Sequence, residues 1–143
     1  MNTLKWIVLI LMISVISTSN AQNIKGEWMI NTLFTDTLVK DYTLDTLSTE
    51  PYSNYGNHFK LETDSTFRTW YTAPCGNDCF ITSFGKYVFL DSNLIQFTLE
   101  SIDYYKAECN GRESTYQFPL DFGTFLMSIK ENKIHLVKLE NSN

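Results

Sequence analysis

From residue 24 onwards, apolar and polar residues alternate along much of the chain with a period of two. This period is typical of β-strands that bury one face and expose the other. The first such segment runs from Trp28 to Phe34. In the next, Phe59 and Leu61 share one face, and the alternation resumes at Thr66 after the turn-forming residues 64 and 65. Residues 58–72 are therefore predicted to form a β-hairpin.

The second half of the chain repeats this arrangement. Residues Phe80–Leu90 and Leu94–Glu100 are predicted strands, with Gly85 expected at a bulge or a close backbone approach. A closing hairpin is predicted from Thr124–Lys130 and Lys133–Glu140. About seven or eight short antiparallel strands of this kind favour a barrel or a sandwich formed by a single domain.

Two longer segments, residues 36–57 and 101–121, fit the alternation less well because they are rich in turn-forming residues. A connection of about 20 residues without regular structure is uncommon in a compact domain. We therefore expect some regular structure near Asp41–Leu47 and otherwise interpret these segments as loops.

The N-terminus has the three parts of a secretory signal peptide. Lys5 supplies a positive charge, residues 6–16 are largely apolar, and Ser19 and Ala21 are the small residues expected before a cleavage site. The alternative is a membrane anchor, but a spanning helix needs about 20 apolar residues. We expect residues 1–21 to be removed, leaving 22–143 as one secreted or periplasmic domain.

Composition and charge narrow the classes of partner. The chain has 11 Lys and Arg against 16 Asp and Glu, with no basic cluster, so neither nucleic acid nor an anionic membrane surface is an expected partner. The sequence after the signal peptide contains no apolar run of membrane length. With 10 Phe, 8 Tyr and 3 Trp, the chain has the composition of an ordered core.

Several short motifs suggest a family. Residues Ile24–Trp28 (Ile-Lys-Gly-Glu-Trp) resemble the Gly-x-Trp opening of lipocalins and of small exported bacterial lipocalin-like domain proteins. Residues 59–67 resemble the central hairpin of that family, residues 85–97 the following strands, and residues 129–139 the closing hairpin. The resemblance covers most of residues 24–139.

The resemblance implies an all-β fold, a small antiparallel up-and-down β-barrel, in which Gly26 allows close backbone approach and Trp28 plugs the base. It also implies a small hydrophobic ligand in the barrel, with residues 36–57 and 73–79 at the entrance. The candidate ligand-binding residues are aromatic side chains on apolar strand faces: Trp28, Phe59, Phe67, Tyr71, Tyr87 and Phe97.

A packed core would place the same aromatic residues on the same faces, because the interior of an eight-stranded barrel is just wide enough to be filled by side chains or by one small ligand. In that case the protein would be a non-catalytic exported interaction or structural module. Its Tyr-rich segment Tyr42–Tyr55 would then contact a protein partner.

The chain has three cysteines, and export makes disulfide formation the default. If strands 80–90 and 94–100 form a hairpin, Cys79 lies near Cys109, and this is the expected bond. In the chain-entropy model such a bond contributes roughly 3–4 kcal/mol to stability. A Cys75–Cys109 bond is the next alternative, and the fate of the third cysteine stays open.

No arrangement of residues in the sequence points to catalysis, a metal or a cofactor. Neither a Gly-x-Ser-x-Gly elbow nor a His-Glu-x-x-His motif is present. Cys75 and Cys79 are separated by three residues instead of the two of thiol-redox motifs. His58 and His135 lie in predicted strands and are expected at the surface. We therefore expect a protein that is not an enzyme.

Overall fold

The computed structural model describes residues 24–50, 52–75, 77–105 and 116–140. The predicted signal peptide and Cys109 lie outside these residues. Within them, no helix is long and apolar enough to cross a membrane.

The chain forms a closed barrel of eight antiparallel strands, which confirms the predicted all-β, lipocalin-like fold class. The strands are β1 (Gly26–Ile30), β2 (Asp41–Asp45), β3 (Gly56–Leu61), β4 (Thr66–Thr72), β5 (Phe80–Asp91), β6 (Leu94–Tyr105), β7 (Leu120–Lys130) and β8 (Lys133–Lys138).

From β3 to β8 the strands follow one another around the barrel in chain order, but β1 and β2 exchange places. Strand β1 pairs with both β2 and β3, and β2 closes the barrel against β8. Because β2 and β3 are both antiparallel to β1, they run in the same direction on either side of it. The connection of residues 46–55 therefore crosses from one side of β1 to the other.

The predicted hairpins are confirmed, and their turns are tight. Ser65 between β3 and β4 has a φ of 67°. Glu131 and Asn132 between β7 and β8 have φ angles of 51° and 62°, as a two-residue hairpin turn with positive φ at both positions requires. By the strand register these turns lie at one end of the barrel, whereas residues 31–40 and 73–79 lie at the other. The connection of residues 46–55 begins at the end with the turns, next to Lys133, and returns to the opposite end, where β3 starts.

The predicted bulge at Gly85 is also confirmed. The register between β5 and β6 shifts there, which leaves Glu100 as the additional residue of β6. A Cβ atom on Gly85 would lie 2.1 Å from the backbone oxygen of Thr98 and 2.6 Å from the Phe67 ring. Glycine is therefore required at this position by close approach.

The predicted first strand is too long. Strand β1 ends at Ile30, where the Asn31 Oδ1 accepts a hydrogen bond from the Thr43 amide at 2.9 Å and the Asn31 carbonyl accepts one from the Asn57 amide group at 3.2 Å. The chain then turns over the end of the barrel, and Leu33 and Phe34 are both buried. Regular structure near Asp41–Leu47 is confirmed as β2.

The barrel encloses one core that is rich in aromatic side chains. Most of the strand residues predicted to face inward do so, including Phe59, Phe97 and Leu99. The largest fully buried aromatic side chains are Phe34, Tyr42, Phe59, Phe67, Phe97, Phe122 and Phe125.

Candidate functional site

The interior of the barrel is occupied by the ring of Phe34. Phe34 belongs to the segment between β1 and β2, and its ring contacts six rings carried by five different strands. The ring centroids lie 4.6 Å from Tyr42, 5.6 Å from Phe59, 5.4 Å from Phe67, 5.0 Å from Phe97, 4.7 Å from Phe122 and 6.1 Å from Phe125.

A buried hydrogen-bond network fixes the backbone of Phe34. Its amide donates to the Thr69 Oγ1 at 3.2 Å, and this hydroxyl lies 2.6 Å from the Ser83 Oγ. Thr69 and Ser83 are both fully buried on neighbouring strands. Since a buried polar group without a partner is costly, the network favours the inserted position of Phe34.

The segment that follows Phe34 is fastened to the end of the barrel. The Lys138 ammonium donates to the Thr37 carbonyl at 3.0 Å and lies 5.2 Å from the Phe122 ring centroid. Burial lowers the pKa of Lys138, and the carboxylates of Asp121 and Asp36 oppose that shift. The Tyr42 hydroxyl is placed to donate to the Asp36 carbonyl at 3.5 Å.

Three of the six predicted ligand-binding residues, Phe59, Phe67 and Phe97, are buried together in the barrel interior. Their rings surround Phe34. Phe34 was not among the predicted ligand-binding residues, because the alternating pattern placed it at the end of the first strand, and it lies instead in the segment between β1 and β2.

The other three lie away from the centre of this cluster. The Trp28 indole is half-buried and donates to the Ile24 carbonyl at 2.9 Å. Tyr87 is buried, and its hydroxyl donates to the Glu62 carbonyl at 2.7 Å near a tight turn. The Tyr71 hydroxyl donates to Asp78 at 3.0 Å, and this hydrogen bond, followed by burial, raises the pKa of Tyr71.

Gly26, which was expected to allow close approach, has a different role. A Cβ atom there would meet nothing within 4 Å, but the residue has a φ of 117°. Glycine is favoured at this position by its backbone conformation.

His58 is not the surface residue that was expected. Its side chain points outward from β3, but it is only 5% exposed. Its Nε2 donates to the Asn54 carbonyl at 2.9 Å, its Nδ1 lies 3.3 Å from the Glu27 carboxylate, and its ring stacks on Trp70 at a centroid distance of 4.9 Å. The prediction failed because Trp70, Glu27 and the backbone of Asn54 lie against this ring on the outer face. His135, in contrast, is half-exposed.

The loop of residues 46–55 is internally hydrogen-bonded. The Ser48 amide donates to the Asn54 Oδ1 at 2.7 Å, and the Asn54 side chain donates back to the Ser48 carbonyl at 2.8 Å. Tyr52 is 84% exposed and has a φ of 65°, an uncommon conformation for a bulky residue. Tyr42 is buried in the core, so the predicted Tyr-rich contact segment is reduced to Tyr52 and Tyr55.

A groove of about 420 Å³ lies on the outer face of strands β4 to β6. It is bordered by Arg68 of β4, Phe84 of β5 and Glu100 at the bulge in β6. No feature of the sequence pattern predicted this groove, because its shape depends on the bulge.

The structure describes two of the three cysteines. Cys75 is a free, exposed thiol, which disfavours the alternative Cys75–Cys109 bond. Cys79 is half-buried and has an interaction partner. Because Cys109 lies outside the described residues, the Cys79–Cys109 bond stays a prediction.

Comparison of the chain with protein-family models, with curated protein sequences and with solved structures finds no match. The resemblance to lipocalins therefore rests on the short sequence motifs and on the closed eight-stranded barrel.

Proposed function

We propose that this protein is an exported, non-catalytic interaction module that presents the loop of residues 46–55 to a protein partner. The observation that carries this proposal is the exposure of Tyr52, which is 84% accessible on a loop fixed by its own hydrogen bonds. Tyrosine suits such a role because its large, amphipathic ring loses little conformational entropy on binding.

The anchoring of the loop supports the same function. The Asn54 carbonyl accepts a hydrogen bond from the His58 Nε2 and lies 3.4 Å from the Thr72 hydroxyl, so the end of the loop is bound to β3 and β4. A loop that is already ordered loses less entropy when a partner binds. The positive φ of Tyr52 is uncommon for a bulky residue, and backbone strain of this kind tends to cluster at functional sites.

The competing function is transport of a small hydrophobic ligand inside the barrel, as the resemblance to lipocalins implied. That function requires the Phe34 ring to leave its position among the surrounding rings. Protein cores are packed about as densely as organic crystals, so the ring and a ligand would not fit together. The position of Phe34 therefore favours recognition on the outside of the barrel.

Photocrosslinking in the cells that express the protein tests the proposal. The photoreactive residue p-benzoylphenylalanine replaces Tyr52, and the matched control replaces Leu38, which is 81% exposed in another loop. We expect a discrete crosslinked species of constant mass from position 52 that is absent from position 38. The same pattern of products at both positions, or none at position 52, would contradict the proposal.

Native mass spectrometry of the mature protein distinguishes the competing function. If the protein is an interaction module, its native mass is expected to equal that of the polypeptide alone. A small molecule that copurifies and is lost on denaturation would instead support the carrier.

A further inference from the structure

The outer groove on strands β4 to β6 owes its shape to the bulge at Gly85. Arg68 and Phe84 are directly opposite each other on β4 and β5, and their side chains lie on the outer face. The extra residue, Glu100, lies beside them on β6 and borders the groove. The volume of about 420 Å³ is in the range of small-molecule sites, roughly 300–1,000 Å³.

Arg68 lines the groove, and its ion pair is longer than those of the neighbouring Lys60 and Lys86. Its Nε is buried and has no hydrogen-bond partner, and the nearest carboxylate oxygen, from Glu62, lies 3.9 Å away. That same oxygen is 2.9 Å from the Lys60 ammonium. The guanidinium is positioned over the Trp70 ring, 4.4 Å from its centroid, which holds the side chain in place.

The other charges around the groove largely neutralise one another. Glu62 pairs with Lys60 at 2.9 Å, and Glu100 pairs with Lys86 at 2.8 Å. The positive charge of Arg68 is therefore left with only the 3.9 Å contact to the shared Glu62 carboxylate, on a chain whose net charge is −5. A planar guanidinium with free donors is well suited to bind a carboxylate through two parallel hydrogen bonds.

The apolar part of the groove lies beside this charge. The Phe84 ring lies on the outer face of the barrel, where no other part of the barrel covers it, and it is therefore partly exposed. An aromatic or aliphatic group of a ligand would contact this ring and remove both surfaces from water.

We propose that the groove binds a small amphipathic carboxylate, with the carboxylate on Arg68 and the apolar group on Phe84. This site is separate from the loop of residues 46–55 and from the barrel interior. Binding of a carboxylate in the groove can therefore occur or fail independently of the interaction with a protein partner.

The test is a titration of the uniformly ¹⁵N-labelled mature protein with 3-phenylpropanoate, followed by amide chemical shifts. The neutral 3-phenylpropanamide is the matched ligand without the charge. We expect the carboxylate to give saturable shifts at residues 66–68, 84–86 and 99–101, and the amide to give much smaller ones.

Two variants identify the role of the charge. Arg68→Gln is expected to weaken binding at least roughly tenfold, because it removes the charge and the charge-assisted hydrogen bonds to the carboxylate. Lys133→Gln is the control, since the Lys133 side chain is 45% exposed and that of Arg68 is 44% exposed. The proposal is overturned if the acid and the amide give equal shifts, if the wild type gives none, or if Arg68→Gln binds as the wild type does.

Discussion

The ring of Phe34 stacks on the ring of Phe122, with centroids 4.7 Å apart and an angle of 19° between the planes. Phe34 comes from the connection between β1 and β2, and Phe122 is the additional residue at a register shift in β7. Two irregular parts of the chain thus meet inside the barrel. Because an eight-stranded barrel has a narrow interior, this pair and its aromatic neighbours account for much of the enclosed space.

Replacement of Phe34 by alanine is expected to lower the free energy of unfolding by about 3–5 kcal/mol, because it removes a fully buried ring and leaves a cavity. Chemical denaturation of the mature protein measures this change. Phe84→Ala removes the same atoms from the outer face and is expected to cost less than about 1 kcal/mol. Equal losses in the two variants would contradict the inserted position of Phe34.

Stability is expected to fall at alkaline pH partly because of Tyr42. Burial raises the pKa of this phenol, so the folded protein keeps a proton that the unfolded chain releases above a pH of about 10. The free energy of unfolding should therefore decrease as the pH rises beyond that value. Tyr42→Phe keeps the ring and is expected to flatten the decrease, whereas an unchanged pH profile would contradict this account.

His58 is expected to hold the loop of residues 46–55 in place. His58→Ala removes the donor to the Asn54 carbonyl and the stacking on Trp70, with an expected loss of about 1–3 kcal/mol. Hydrogen exchange followed by mass spectrometry should detect faster exchange in residues 47–55. His135→Ala, on β8, is the control, and loop exchange that is equally fast in both variants would oppose this role.

The cysteines are expected to differ in reactivity. Alkylation of the native protein should modify the exposed thiol of Cys75. Peptide mapping without reduction should then recover a link between Cys79 and Cys109. A link between Cys75 and either of the other cysteines would show that the predicted pairing is wrong.

The proposed export predicts a defined N-terminus for the mature protein. Cleavage after Ala21 would leave Gln22 as the first residue. N-terminal sequencing or intact mass of the protein from the periplasm or the medium measures this directly. Protein that stays in the membrane fraction with residues 1–21 attached would support an anchor instead.

The sequence predicted the parts of the fold that depend on local patterns. The hairpin of β3 and β4 and the closing hairpin have strict alternation and turn-forming residues such as Asp64 and Asn132. Alternation also placed Phe59, Phe67 and Phe97 in the interior, because a period of two fixes which side chains share a face.

Features that depend on distant contacts were not predictable in this way. Residues 31–34 continue the alternation of β1, but hydrogen bonds from Thr43 and Asn57 to Asn31 accompany the departure of the chain from the strand. The exchange of β1 and β2 produces no local pattern in the sequence, and the contact between Asn54 and His58 produces none either. The Arg68 groove likewise depends on a bulge formed by pairing with another strand.

The most direct test of the filled barrel is an NMR titration of the wild type and of Phe34→Ala with benzene. The account predicts that the wild type gives no saturable shifts at the rings of Phe59, Phe67 and Phe97. The variant, in contrast, should bind one molecule in the space that the ring has left. Saturable binding of benzene among these rings in the wild type would contradict the account and restore the barrel interior as a ligand site.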